Sequence, residues 1–327
     1  VVLGGREIDM FKRLVLGKSE IAISEIGFGL WAAGGDFWGP TAEGVILDAM
    51  DFALEHGINF FDTADVYGDG HSDELLGKAM DGRREMFVVA TKIGWRGFSD
   101  ETKSSAYTTA DKLVAGVESN LQRLHTDYVD VIQSHIDFQD PTMEIFLEGF
   151  QRLQRDGKVR AYGVSTSDFD YLQAFNADGG CATLQVDYSI LNRTAEKDLL
   201  PYCTENNIGV IVRGALAMGI LAGKFQAETQ FAEGDFRRRW HENEDEYRVF
   251  LNDLDLVERL RPLAQDFSLA QLALQFTLAH PAVSSVIPGI KNPAQANSNI
   301  AAAAITIPLN DIDEIVPPGG GRKIWPA

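Results

Sequence analysis

The stretch NFFDTADVYGDG, residues 59–70, sets an apolar run against an abrupt aspartate and then a tyrosine. Asp62 stands at the mouth of a buried strand, and Tyr67 follows in what the Gly-Asp-Gly cluster marks as a loop. Seven more short runs have the same build: EIGFGLW (25–31), FVVATK (87–92), YVDVIQSH (128–135), VRAYGVS (159–165), TLQVDYS (183–189), IGVIVRG (208–214) and SSVIPG (284–289). Most are continuously apolar, as strands buried on both faces should be.

Amphipathic stretches separate these runs. Residues 41–56 place Val45, Ile46, Ala49, Met50 and Ala53 on one helical face, and Gly57 ends the pattern. Residues 109–124 open with Thr109 or Asp111 as a cap. Residues 141–156 begin at a proline suited to a first helical turn and stop at Gly157. Residues 269–279 and 293–304 complete the set. Strands alternating with helices predict one domain over 1–327, a closed parallel (β/α)8 TIM barrel. An open doubly wound sheet is the competitor, but no G-x-G-x-x-G follows the first strand. Residues 12–29, KRLVLGKSEIAISEIGFG, read as a β-hairpin ahead of the barrel. Residues 224–250 are polar and charged with no strand pattern, so they read as a long loop and a candidate lid. The end, PPGGGRKIWPA, reads as irregular.

A net charge of −19 speaks against nucleic-acid binding, since the only basic run is Arg237–Arg239; the acidity reads as a solubility device. No apolar run is long enough to span a bilayer, and the first residues lack the build of a secretory signal. Residues 1–9 read as an extension ahead of Met10. Two cysteines, Cys181 and Cys203, have neither the number nor the spacing of a disulfide framework or a metal site. A reducing cytoplasm fits them.

Active sites of such barrels gather at the carboxyl ends of the strands. Asp62, Lys92 and His135 each end or interrupt an apolar run there, with Tyr67 in the adjoining loop. Taken singly, each has an ordinary explanation: a turn cap, a snorkelling amine, a satisfied core imidazole, a loop aromatic. Their convergence on one rim points to chemistry. A free phenol ionises near pH 10, too high for easy proton transfer at neutrality, and a neighbouring ammonium lowers that value. The lysine needs a carboxylate to hold it, which Asp62 supplies. His135 can hydrogen-bond a substrate oxygen. Such a group donates a proton to a carbonyl becoming an alcohol and lacks only a hydride source, which implies a nicotinamide cofactor.

The chain resembles the aldo-keto reductases, in the bacterial branch that is similar to potassium-channel β subunits. The motifs that carry the resemblance are ordered along nearly the whole chain: GINFFDTADVYGDGHSDELLGKAM, VVATKIG, DYVDVIQSH, GKVRAYGVS, LQVDYSILNR, GILAGKF and VIPGIKNPAQANSNI. The resemblance implies a catalytic tetrad of Asp62, Tyr67, Lys92 and His135, with Tyr67 as general acid. It also implies cofactor positions. Ser165, Thr166 and Gln185 stand where the family bonds the nicotinamide carboxamide. Gly29, Leu30 and Trp31 follow the first strand. Gly214, Leu216, Met218 and Gly219 match the pyrophosphate turn, Lys224 and Arg237 the lid, and Gly289, Lys291, Gln295 and Asn299 the adenosine end. Lys291 offers a cation to a ribose 2′-phosphate, which favours NADP and leaves NAD open. Trp31, Phe37, Trp38, Trp95 and Phe98 would wall the substrate pocket, with Tyr67 and His135 at its base.

Three departures stand out. Thr166 replaces a common asparagine and Ala215 a common proline. Arg213 replaces the aromatic residue that packs under the nicotinamide. The expected substrate is a small carbonyl compound, sugar or polyol, and the same site run in reverse would be a sugar or polyol dehydrogenase. A cofactor-binding regulatory subunit with little turnover and a Schiff-base aldolase using Lys92 are the alternatives of other classes. Assembly into homo-oligomers stays open. If Arg213 stacks beneath the nicotinamide, its charge disfavours the cationic oxidised ring. Fluorescence titration should then show tighter binding of reduced than of oxidised cofactor; equal affinities would remove the idea.

Overall fold

The computed structural model describes residues 12–35, 37–39, 41–94, 107–135 and 143–321. A hairpin of β1 (Arg13–Val15) and β2 (Ala22–Ser24) comes first, antiparallel, with Leu14 opposite Ile23. Eight parallel strands follow: β3 (Phe28–Gly29), β4 (Phe60–Asp62), β5 (Val88–Ile93), β6 (Val129–His135), β7 (Val159–Ser165), β8 (Thr183–Asp187), β9 (Gly209–Arg213) and β10 (Val283–Val286). Each pairs with its neighbour in chain order, and parallel bridges Ile26–Val286 and Gly29–Gly289 join the last strand to the first. The ring is therefore closed, and all eight expected runs contribute to it. On the Gly29 side of this seam only glycine fits: a Cβ there would lie 2.6 Å from the Ile287 carbonyl oxygen.

Helices cover the outside. Between β3 and β6 lie α1 (Glu43–Glu55), α2 (His71–Met80) and α3 (Ala110–Arg123). Thr109 is the cap of α3, accepting from the Lys112 N–H. Next come α4 (Met143–Arg155), α5 (Phe169–Phe175) and α6 (Leu199–Glu205). The expected first-turn proline of α4 lies outside the described residues, as do Trp95 and Phe98. Toward the end are α7 (Arg239–Glu242), α8 (Glu244–Leu260), α9 (Leu269–Leu278), α10 (Pro293–Ala302) and α11 (Leu309–Ile315). Among the described residues no helix is long and apolar enough to cross a membrane.

Residues 224–250 correct the reading of one long loop. Their second half is helical: a 3₁₀ turn at Phe236–Arg238, then α7 and the start of α8, which Asn243 caps by accepting from the Asp245 and Glu246 N–H groups. The buried residues Phe250, Val257 and Leu260 carry a helical spacing that only emerges beyond residue 250.

Strand parity sets what faces the barrel axis. Phe60, Ala90, Val131, Ala161 and Ile211 point inward near one end, where Leu16, Ile21 and Ile23 of the hairpin segment pack against them. Two residues further along the same faces come Asp62, Lys92, Gln133 and Arg213; β6, β7 and β8 end on His135, Ser165 and Asp187. Outward residues such as Val89, Ile132, Val164, Leu184 and Val212 pack into the larger core under the helices. The interior thus changes from apolar to polar along its axis, with the hairpin sealing the apolar end. Leu16 is fully buried in that seal. Leu16→Ala should cost about 2–4 kcal/mol, read as a lower urea midpoint, while activity per folded molecule at the opposite end is retained.

Candidate active site at the carboxyl ends of the strands

Lys92 is wholly buried at the polar end of the barrel. Its ammonium donates to Asp62 Oδ2 at 2.6 Å, to the Thr63 carbonyl at 2.8 Å and to the Tyr67 phenol oxygen at 3.2 Å. Three acceptors match its three N–H bonds. Burial works against the Lys92 charge, but Asp62 and then Tyr67 outweigh it and its pKa is raised. Burial also pushes the Asp62 carboxyl up, against the pull of Lys92 and Gln185. Of these two directions, that of Lys92 governs the pair, because a 2.6 Å contact between opposite charges favours both charged forms.

Tyr67 lies in the loop between β4 and α2, and its ring meets that of His135 edge-on at 5.6 Å. Here the electrostatics correct the expectation of a lowered phenol pKa. Burial raises it, Lys92 lowers it, Asp62 raises it again, and the net direction is upward. The phenol therefore keeps its proton at neutral pH, while Lys92 stands ready to stabilise the oxygen once the proton leaves. His135 is driven well below its ordinary value by burial and then by the charges of Lys92 and Arg213, so its imidazole is neutral.

The remaining positions divide. Ser165 is buried and its hydroxyl has no hydrogen-bond partner among the described residues; the same holds for Asn299 Nδ2 and Trp38 Nε1. Such orphaned groups suit a polar ligand. Gln185 donates its amide N–H groups to Asp62 Oδ1 at 2.8 Å and Gln133 Oε1 at 3.1 Å. Thr166 accepts from the Asp168 N–H at 2.9 Å, which ties its hydroxyl into a turn. After β9, Gly214 takes φ 72°, and Ala217, Met218 and Gly219 take three successive left-handed conformations. Within this turn the Ala217 and Gly219 N–H groups donate to the Gly214 and Leu216 carbonyls at 2.7 and 2.9 Å. Lys224 is exposed beyond it. Arg237 grips Asp235 at 2.9 and 2.5 Å and also donates to the Met218 carbonyl at 3.2 Å. Lys291 donates to the Trp38 carbonyl at 2.5 Å, and its backbone N–H to Gln295 Oε1 at 2.7 Å. Gly289 is open, a Cβ there meeting only Ala32 at 3.6 Å.

Sequence reasoning missed the groups behind the tetrad. Thr63 Oγ1 donates to buried Asp73, and Arg123 donates to the other Asp73 oxygen at 3.0 Å and to Asn120 at 2.6 Å. Asp65 accepts from the Tyr107 hydroxyl at 3.3 Å. It also missed Phe236, whose only signal was an aromatic residue inside a charged run. Among the described residues, no group of three or more His, Cys, Asp or Glu side chains is arranged to hold a metal ion.

A family model described as "Aldo/keto reductase family" matches residues 25–316. Aldo-keto reductase YhdN of Bacillus subtilis (strain 168) is 31% identical over 90% of this chain and 89% of its own length. The NADH-specific methylglyoxal reductase of Escherichia coli (strain K12) is 30% identical over 92% and 96%. A probable voltage-gated potassium channel subunit beta of Arabidopsis thaliana is 30% identical over 90% and 91%. Among solved structures, the glycerol dehydrogenase AKR11B4 from Gluconobacter oxydans superposes with a TM-score of 0.78 at 28% identity, covering 97% of this chain and 98% of its own. An aldo/keto reductase from Klebsiella pneumoniae in complex with NADP and acetate gives 0.72 at 26% identity, covering 94% and 96%.

Burial, and then the nearby Asp73 carboxylate, push Asp65 up to about 7 despite Arg123 and Tyr107. Between pH 4 and 7 the folded chain holds a proton that the unfolded chain has lost, so this group makes stability fall as pH rises through that window. Asp65→Asn cannot ionise. Relative to the parent chain it should gain on the order of 2 kcal/mol between pH 5 and pH 8, seen as a Tm difference that grows by a few degrees.

Proposed function

The chain belongs to the aldo/keto reductase family, and on that premise we propose that it reduces an aldehyde or ketone with NADPH, Tyr67 giving the carbonyl oxygen its proton. One observation carries this reading: a fully buried ammonium, Lys92, lies within hydrogen-bond distance of both a carboxylate, Asp62, and a phenol, Tyr67. A bound nicotinamide would supply the hydride. The residues that would hold it are Ser165 and Asn299, whose buried polar atoms lack partners among the described residues; Arg237, which donates to the Met218 carbonyl, braces the turn at 217–219.

The proton steps follow from the charges. Neutral His135 holds the substrate oxygen by a hydrogen bond beside Tyr67. Tyr67 stays protonated until the oxygen gains negative charge, then releases its proton to it. Lys92 stabilises the phenolate that remains, and Asp62, steadied by Gln185, keeps Lys92 charged and in place. A Schiff-base role for Lys92 is disfavoured by the same contact, since a protonated amine is not a nucleophile.

NADP as cofactor is supported by the Klebsiella structure's bound NADP. The Lys291 amine, which would meet a 2′-phosphate, is engaged by the Trp38 carbonyl and would have to exchange it. The NADH-specific relative is the reason to assay both cofactors. A second reading, oxidation of a polyol or sugar by the same residues, is favoured by the likeness to a glycerol dehydrogenase. In that direction Tyr67 must first lose its proton, so the rate should climb with pH, whereas carbonyl reduction should not.

A spectrophotometric panel of aldehydes, ketones, sugars and polyols with NADPH and NADH tests the proposal. Tyr67→Phe should lower kcat at least about 10³-fold while cofactor affinity by fluorescence titration stays within about twofold. Retained turnover in that variant would contradict the role given to the phenol.

A further inference from the structure

Trp31 sits at the first turn after β3, and its indole is stacked near-parallel on two rings from different parts of the chain. One is Tyr67, with ring centroids 6.1 Å apart and planes at 28°. The other is Phe236, at 6.0 Å and 25°. Phe236 also meets Trp38 edge-on at 5.0 Å, and its backbone N–H donates to the Phe37 carbonyl at 3.2 Å. It belongs to the segment between β9 and α8, not to the barrel.

That segment is firmly seated on both sides of Phe236. Asp235, buried, is bound by the Arg237 guanidinium. Arg237 lies over the rings of Trp38, Phe225 and Phe231 at 4.9, 5.4 and 5.0 Å. Phe231 packs in turn on Trp240 at 5.4 Å. The position of the Phe236 ring is therefore determined by packing.

We propose that Phe236 is a specificity-determining residue for the carbonyl substrate. By fixing the plane of Trp31 beside Tyr67, it supplies a rigid aromatic wall for substrates with an apolar or aromatic body. This assignment rests on the carbonyl-reductase reading above. Aromatic rings are suited to the task because they offer large contact area with few rotamers and prefer offset or edge-on partners. A three-carbon carbonyl reaches Tyr67 and His135 without needing that wall; an aromatic aldehyde leans on it. One methylene in an apolar pocket changes substrate discrimination by roughly 10–200-fold, and loosening the wall acts on the same apolar contact.

The test compares the parent chain, Phe236→Ala and Phe236→Tyr on 4-nitrobenzaldehyde and methylglyoxal. In Phe236→Ala the ratio of kcat/KM for the aromatic over the three-carbon substrate should fall about tenfold, chiefly through KM. Phe236→Tyr should restore it to within about twofold. An unchanged ratio, or an equal fall on both substrates, overturns the assignment. Binding of 4-nitrobenzyl alcohol, followed by quenching of tryptophan emission, supplies a readout without turnover. It should weaken by a similar factor in Phe236→Ala, and equal binding by parent and variant overturns the proposal. If the parent binds the alcohol but reduces neither carbonyl with either cofactor, the reductase reading fails, and the binding comparison still decides the role of Phe236.

Discussion

A buried ammonium is the constraint around which the polar half of the barrel is arranged. Placing Lys92 out of water costs several kcal/mol unless its charge and all three N–H bonds are satisfied. Asp62, the Thr63 carbonyl and Tyr67 satisfy them. Asp62 has a second oxygen, and Gln185 occupies it; Gln185 bonds Gln133, and Gln133 bonds Thr183. This chain of contacts links β4, β5, β6 and β8 through one connected network. In a low-dielectric interior such a network is rigid because every broken bond leaves an unsolvated polar group.

Two further layers protect that arrangement. At the apolar end the hairpin inserts Leu16, Ile21 and Ile23 among the inward-facing strand residues. Behind the site, Asp73 receives Thr63 on one oxygen and Arg123 on the other, which secures the start of the loop that carries Tyr67. Asp65 shares this region and carries its proton at a cost that grows with pH. Carboxyls are thus used in two ways within a few residues: Asp62 holds a cation, and Asp65 is held partly neutral by burial beside Asp73.

The segment after β9 shows that a polar, charged run can possess a core of its own. Phe225, Phe231, Trp240 and Phe250 pack on one another, and Arg237 stacks on three rings while neutralising Asp235. This packing lets the segment present Phe236 to Trp31 in a defined orientation. It also means that three cation positions singled out from sequence differ in kind. Arg237 is part of the fabric, Lys291 is tied to a backbone carbonyl, and Lys224 is exposed.

Local sequence determined much of this protein. Continuous apolar runs located all eight barrel strands, because strands buried on both faces must be apolar throughout. A charged residue ending such a run was legible for the same reason: it marks the point where the interior changes character. The resemblance to a known family added positions that periodicity alone does not reveal, among them Gly214, Leu216, Met218 and Gly219. Tertiary structure decided the rest. The phenol of Tyr67 is raised rather than lowered, since the balance between burial and one nearby ammonium depends on distances that no linear pattern contains. Gln185 serves Asp62, 123 positions away in sequence. Phe236 meets Trp31 only because the segment after β9 folds back across the rim. A sequence displays which side chains each strand and helix turns inward, but a pKa or a stacked ring is a property of what stands opposite, and closure of the barrel brings those groups together.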